Sequence, residues 1–296
     1  MSAETHIIFH GVRGSAPSSG KDFAEFGGDT PAVEIAFGDA RLFIDAGSGL
    51  KNVRVREDLC DDFDLVLSHY HYDHLIGLPF FELAWRMKGR LRIFAPKFGA
   101  DAPYDILNTL FSSPFCPVRL DDLRMRVDVI PYHPGDSWRA TGGAAVSTAP
   151  VNHPGGCAAI RVGLPAGDVV YASDAEIASD RDAVHLSDFA READLFIADA
   201  MNDDANAGHR RGWGHSSWRD MLAVSKSAQA RATALFHHDP RCTDEQLVAT
   251  DAAVHAAQPN AFLVRQGLAY RLDTAAAPTA QTDAARGETA SWRCSR

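Results

Sequence analysis

The stretch Ser68-His69-Tyr70-His71-Tyr72-Asp73-His74 constrains this chain more than any other. It follows Asp64–Leu67, a short apolar run that reads as a strand, so the histidines begin where a strand ends. On extended backbone, side chains two apart share a side, so His69 and His71 can reach one ion together. Asp73 and His74 lie where the chain turns toward a helical pattern and can face a second ion nearby. Neutral imidazole with carboxylate suits zinc, with manganese or iron as alternatives. The competing reading is a histidine-rich surface loop or a histidine-bearing helix start, which the mixed spacing disfavours.

Composition narrows the setting. The chain has 296 residues, 46% apolar and 23% charged, the profile of a folded globular protein. No apolar run approaches the roughly 18–20 residues of a membrane span. Met1–Ile8 lacks the basic start and apolar stretch of a signal peptide. Cys60, Cys116, Cys157, Cys242 and Cys294 are scattered and never form a C-x-x-C pair, which argues for a reducing compartment. A formal net charge of −10 argues against bulk nucleic-acid or anionic-membrane binding. The expectation is a cytoplasmic protein without a membrane partner.

Strand-like runs are expected at His6–Val12, Ala32–Phe37, Arg41–Asp45, Leu91–Ala95 and Arg124–Ile130 in the first half. Later ones fall at Ala144–Ala149, Ala158–Val162, Val169–Ala172, Leu195–Ala198, Ala232–Phe236 and Ala261–Val264. Helices are expected at Leu75–Met87, Tyr104–Leu110, Asp182–Ala193, Ser216–Ser227 and Thr243–Ala257, with Pro79 able to open a second helix within the first. This order suits two β-sheets packed together with helices outside. Residues 1–272 read as one domain; in 273–296 Ala, Thr, Gly and charged residues replace the apolar pattern, as in a mobile tail.

The histidine motif resembles that of the metallo-β-lactamase superfamily. The resemblance implies an α+β fold, a single-domain four-layer αβ/βα sandwich, with a binuclear metal site at one edge. Further matches follow in order: His153 in Asn152-His153-Pro154-Gly155, Asp174 in Ala172-Ser173-Asp174, and His237 in Phe236-His237-His238-Asp239. The resemblance implies His69, His71 and His153 on one ion, and Asp73, His74 and His237 on the other, with Asp174 bridging. His238 is the rival to His237, since adjacent side chains on extended backbone point apart. Asp45, in Ile44-Asp45-Ala46-Gly47, matches a position that supports the ligand loop through hydrogen bonds.

Gly212-Trp213-Gly214-His215-Ser216-Ser217 is similar to an element of the ribonuclease Z-like branch, whose histidine is a catalytic group outside the metal ligands. That makes His215 the candidate to assist a leaving alkoxide; alternatively Ser216 caps the next helix and His215 merely packs beside it. Gly11-Val12-Arg13-Gly14-Ser15 also looks like that branch: Arg13 either holds an anionic substrate or ties the loop down by ion pairing. Tyr72 stands where the motif often carries glycine, narrowing the approach to the metals and shaping the pocket. No insertion suits a transfer-RNA-gripping arm. His133, His185, His209 and His255 are expected at the surface or in structural roles, and His209 with Arg210 and Arg211 could flank a substrate entrance.

The resemblance therefore implies a hydrolase with two divalent ions, zinc first and manganese or iron next. Two such ions outweigh two carboxylates and a hydroxide, which favours a small anionic substrate. The leading expectation is a phosphodiesterase acting on a small or cyclic phosphodiester through a metal-bound hydroxide, with Asp73 and His215 as catalytic residues. The alternatives are a thioester or lactone hydrolase on the same site, or a non-catalytic nucleotide-binding member. The resemblance also allows a homodimer.

Overall fold

Alternating apolar positions in Thr5–Gly11 leave every second side chain buried, the signature of a strand with one face on a core. The computed structural model, which describes residues 4–55, 62–202 and 209–272, extends this pattern to two seven-stranded sheets. The first sheet contains β1 (Thr5–Gly11), β2 (Ala32–Phe37), β3 (Ala40–Ile44), β4 (Phe63–Val66), β5 (Arg90–Pro96) and β6 (Arg126–Tyr132). The second contains β7 (Ser137–Arg139), β8 (Ala145–Val151), β9 (Cys157–Leu164), β10 (Gly167–Ala172), β11 (Leu195–Asp199), β12 (Thr233–Phe236) and β13 (Ala261–Leu263). The last strand, β14 (Ala269–Leu272), returns to the first sheet and pairs antiparallel with β1.

Each sheet is half meander and half parallel. β1–β2–β3 are antiparallel, then β3–β4–β5–β6 run parallel. β7–β8–β9–β10 are antiparallel, then β10–β11–β12–β13 run parallel. One apolar cluster, including Ile35, Leu42, Tyr171 and Phe236, fills the space between the sheets. A second, including Phe43, Phe63, Phe81 and Leu107, lies beneath α1 (Glu82–Arg86) and α2 (Pro103–Leu110). A third, including Phe196, Trp218, Met221 and Leu247, lies beneath α3 (Asp180–Phe189), α4 (Trp218–Ala228) and α5 (Asp244–Ala257). The result is the expected four-layer αβ/βα arrangement.

Leu75–Met87 departs from the expected helix. It folds as a 3₁₀ turn at Leu78–Phe80 and only five α-helical residues, Glu82–Arg86. Gly77 is the reason: its N–H donates to the Ala46 carbonyl, and a Cβ there would meet the Gly47 carbonyl oxygen at 1.8 Å. The segment is pinned to the strand-end loop at Ala46–Gly47 instead of winding freely. Strands β7 and β14 had no counterpart in the sequence reading; both are short and gain their order from pairing. The expected tail, Cys60 and Cys294 lie outside the described residues.

A polar cluster is buried in the first sheet. The Glu34 carboxylate accepts hydrogen bonds from Arg41 Nε at 2.6 Å and His10 Nε2 at 2.8 Å, and Arg41 lies over the Phe43 ring. Burial alone would raise the Glu34 pKa, but these two partners outweigh it and lower it to about 2. A carboxyl with a depressed folded pKa contributes stability that is present above its unfolded pKa of 4.5 and is lost as pH falls toward 2. In urea titrations of chelator-treated protein, Glu34→Gln is less stable than wild type at pH 7, and loses about 2 kcal/mol less than wild type between pH 5 and pH 3. Parallel pH profiles for the two proteins would refute this assignment.

Candidate metal centre

The parallel halves of the two sheets, with β8 from the antiparallel half of the second, set the site. Strand ends in a parallel array finish at one edge, where loops carry ligands. Asp45 follows β3, Ser68 to His74 follow β4, His153 follows β8, Asp174 follows β10, Asp199 ends β11 and His237 follows β12. Because β10, β11 and β12 are neighbours, Asp174, Asp199 and His237 leave the sheet side by side.

Among the described residues, three overlapping groups of side chains converge there, one of them Asp174, His215 and His237. His69, His71, His153 and Asp174 place ligand atoms within 4.8 Å of one another, and so do Asp73, His74 and His237. The two Asp174 oxygens divide between the groups. Oδ1 lies 3.8 Å from His69 Nε2 and 3.7 Å from His153 Nε2, while Oδ2 lies 3.1 Å from His74 Nε2 and 3.2 Å from His237 Nε2. Asp73 Oδ2 lies 3.2 Å from His237 Nε2 and 3.3 Å from His74 Nε2. All seven sequence-expected ligands therefore meet at one place.

The donor set fits a cation because of which nitrogens are already committed. Asp45 Oδ2 can only accept, so His74 Nδ1, 2.7 Å away, donates to it. His153 Nδ1 likewise donates to the Gly214 carbonyl at 2.9 Å. The Ser68 hydroxyl donates to Asp45 and accepts from His69 Nδ1 at 3.0 Å. Three rings thus turn Nε2 toward the cluster, and His69 Nε2 is buried with no hydrogen-bond partner. Fixing a ligand histidine's tautomer through its outer nitrogen is the usual arrangement at metal sites. Burial works against charge on His74, but the carboxylates of Asp73, Asp174 and Asp45 outweigh it and raise its pKa. Burial and the neighbouring rings of His74 and His153 keep His69 neutral, with its pKa well below the ordinary value.

Backbone strain gathers at the same place. Of six described non-glycine residues with positive φ, four belong to the site or its brace: Ser15, Asp45, Asp174 and His237. Such conformations cost of order 1–3 kcal/mol each and persist only where the surroundings enforce them.

His215 stands beside the ligands. Its Nδ1 donates to Asp199 Oδ2 at 2.9 Å, and its ring stacks on His237 with centroids 5.1 Å apart. Burial opposes its protonation, but Asp199 outweighs burial and raises its pKa to about 9. Glu176 holds the loop that carries it, accepting from Gly212 N at 2.7 Å and Gly214 N at 2.9 Å. The cap of α4 is Ser217, not Ser216; the Ser216 hydroxyl instead donates to the Ala175 carbonyl. Asp199 and Glu176 escaped the sequence reading, although Asp199 repeats the strand-then-aspartate pattern of Asp174.

Arg13 corrects the substrate expectation. Its side chain is fully buried, with Nε donating to the Gly27 carbonyl and Nη1 to those of Asp239 and Cys242, and Asp244 lies 3.7 Å from Nη2. A guanidinium so enclosed ties the loop after β1 to the loop after β12 and is not presented to a substrate. The neighbouring Ser15 N–H then braces Asp73 Oδ2 at 2.7 Å. Tyr72, by contrast, is 73% exposed at the mouth of the site. His237 rather than His238 faces the cluster: His238 Nε2 turns away to the Val264 carbonyl at 2.8 Å. Burial there drives the His238 pKa down to about 3. His133, His185, His209 and His255 are exposed, as expected.

Two substitutions test the supports. Asp45→Asn replaces an obligate acceptor with a group that can also donate, and should weaken zinc binding about 10–100-fold by competition with a chromogenic chelator. A Cβ on Gly214 would meet His153 Nδ1 at 2.1 Å, on backbone with φ +89°. Gly214→Ala should therefore displace His153 and weaken zinc binding by a similar factor. Unchanged zinc affinity in either variant would show that the outer contacts do not orient the ligands.

The family model described as the Beta-lactamase superfamily domain matches residues 40–238, from β3 through His238. Ribonuclease Z of Thermoplasma acidophilum is 23% identical to this chain, over 85% of it and 92% of the relative. Among solved structures, the metallo-β-lactamase fold protein YhfI of Bacillus subtilis has a TM-score of 0.68 at 19% identity, covering 91% of this chain and 99% of its own. A diphosphatase of the PhnP family has a TM-score of 0.67 at 17% identity, covering 93% of this chain and 100% of its own. The matched segment spans well over half of the chain and contains every residue of the clustered histidines and aspartates. The chain belongs to the β-lactamase superfamily and has the metallo-β-lactamase fold, which carries divalent-metal sites.

Proposed function

We propose that this chain is a metal-dependent hydrolase of phosphodiesters, and that its substrate is small or cyclic. Zinc is the first choice of metal, and the two ligand groups sharing Asp174 support a binuclear centre. His69, His71 and His153 would hold one ion, and Asp73, His74 and His237 the other. Bound there, two divalent ions supply a water of lowered pKa and a clamp for charge on the reacting phosphoryl group.

The observation that carries the reading is the His215–Asp199 pair beside the ligands. A departing alkoxide has a pKa far above 7 and leaves readily only if it receives a proton. With Nδ1 committed to Asp199, the exchangeable proton of His215 resides on Nε2. Asp199 favours the charged ring, so His215 can give that proton to a leaving oxygen or hydrogen-bond a phosphoryl oxygen. Asp73, held by the Ser15 N–H, keeps its carboxylate turned toward the centre.

The relative named ribonuclease Z favours a second reading, in which the diester lies in RNA. The net charge of −10 favours a compact substrate, because polyanion binding draws on basic surface. Among the described residues no helix is long and apolar enough to cross a membrane. Cys116, Cys157 and Cys242 are thiols rather than disulfide halves, which supports a reducing, cytoplasmic setting.

Leaving-group dependence tests the mechanism. His215→Ala should lower kcat about 10²–10⁴-fold on a diester with an alkyl leaving group, such as a nucleoside 2′,3′-cyclic phosphate. It should cost far less on bis(p-nitrophenyl) phosphate, whose phenolate leaves without help. Equal losses on both would remove the proton-donor role. Cleavage of thioesters or lactones by zinc-loaded protein that leaves both diesters intact would overturn the phosphodiesterase reading.

A further inference from the structure

The metal-binding loop is also one wall of a cleft. Tyr70 and Tyr72, which flank His71, and Leu75, which follows His74, line a space of about 410 Å³. Residues before, within and after α2 line it too, among them Asp101, Asp105 and Phe115. That volume lies within the roughly 300–1,000 Å³ of small-molecule sites. Tyr70 is fixed, because its hydroxyl donates to the Pro96 carbonyl at 2.6 Å. Tyr72 and Phe115, 73% and 70% exposed, are the two most exposed large apolar side chains among the described residues.

Resting on the phosphodiester reading above, we infer that this cleft holds a planar heteroaromatic group of the substrate, a nucleobase, while the adjoining phosphate sits at the metal centre. Aromatic walls offer π-faces on which a base stacks. The carboxylates of Asp101 and Asp105 accept hydrogen bonds from ring N–H and exocyclic amino groups, donors that a lipid or acyl chain lacks. The same two charges repel a second phosphate, so the cleft selects a single nucleotide unit over a phosphate-rich strand. Tyr72 joins the two functions, standing between two metal-ligand positions with its ring at the cleft. The motif's usual glycine could not supply that ring.

Two cyclic esters with the same five-membered phosphate ring separate base recognition from phosphate chemistry: adenosine 2′,3′-cyclic phosphate and glycerol 1,2-cyclic phosphate. Wild-type protein should prefer the adenosine ester about tenfold or more in kcat/KM, chiefly through KM. The preference should fall toward unity in Tyr72→Ala and in Phe115→Ala, two exposed positions whose truncation removes no core contact; thermal melts confirm folding. Equal kcat/KM for the two esters in wild type, or a preference unaltered in both variants, overturns the inference. If zinc-loaded protein hydrolyses neither ester, the phosphodiester reading fails and the cleft is judged by calorimetry alone. Adenosine 2′-monophosphate should then bind at least tenfold tighter than glycerol 2-phosphate, and Tyr72→Ala and Phe115→Ala should abolish the difference. Equal affinities in wild type overturn the inference on that arm too.

Discussion

The Asp45 carboxylate is the contact on which the site's geometry depends. It is fully buried at the end of β3 and accepts four hydrogen bonds: from Ser68 N, the Ser68 hydroxyl, His74 Nδ1 and the Tyr171 hydroxyl. Those donors come from the start of the histidine loop, from its end, and from β10 in the opposite sheet. A buried carboxylate is costly unless it is saturated with donors, and here the saturation joins both sheets to the ligand loop. The positive φ of Asp45 shows that the backbone yields to this arrangement.

From that node the site is assembled by topology. The two sheets bring strand ends to a common edge: the loop after β4 gives four of the seven clustered side chains, and the ends of β8, β10 and β12 give one each. The polar groups around them form a second layer with a consistent polarity: acceptors face the outer nitrogens of His69, His74 and His153, so each Nε2 faces inward. A cation at that place would answer the carboxylates of Asp73 and Asp174, which otherwise, against burial, raise the pKa of His74. His215 sits beside this set with Asp199 behind its Nδ1, a carboxylate that favours a charged ring, as Asp45 does behind His74.

Much of this was legible in the sequence because the information is local. The spacing of His69, His71, Asp73 and His74 needs no tertiary contact to be read, and strand runs ending in His153, Asp174 or His237 announce loop positions. Helix α5 carries its own start signal, Thr243 with Gln246 as a capping box, and the expected boundary was off by one residue. Leu75–Met87 was misread because apolar periodicity cannot register the close approach of Gly77 to Gly47. Arg13 resisted reading for a related reason: a guanidinium beside glycines suits an anion site and a loop tie equally well. Only the three carbonyls around it decide.

The sequence by itself therefore determined the family, the layered α+β fold and which seven histidines and aspartates cluster, since each rests on local pattern in fixed order. The tertiary structure decided what depends on residues far apart in the chain. It chose His237 over His238, turned Arg13 inward, gave His215 its partner Asp199, and set Tyr72 and Phe115 along one cleft. Those outcomes follow from which nitrogen, carbonyl or ring the fold brings within bonding distance, and no spacing along the chain encodes that.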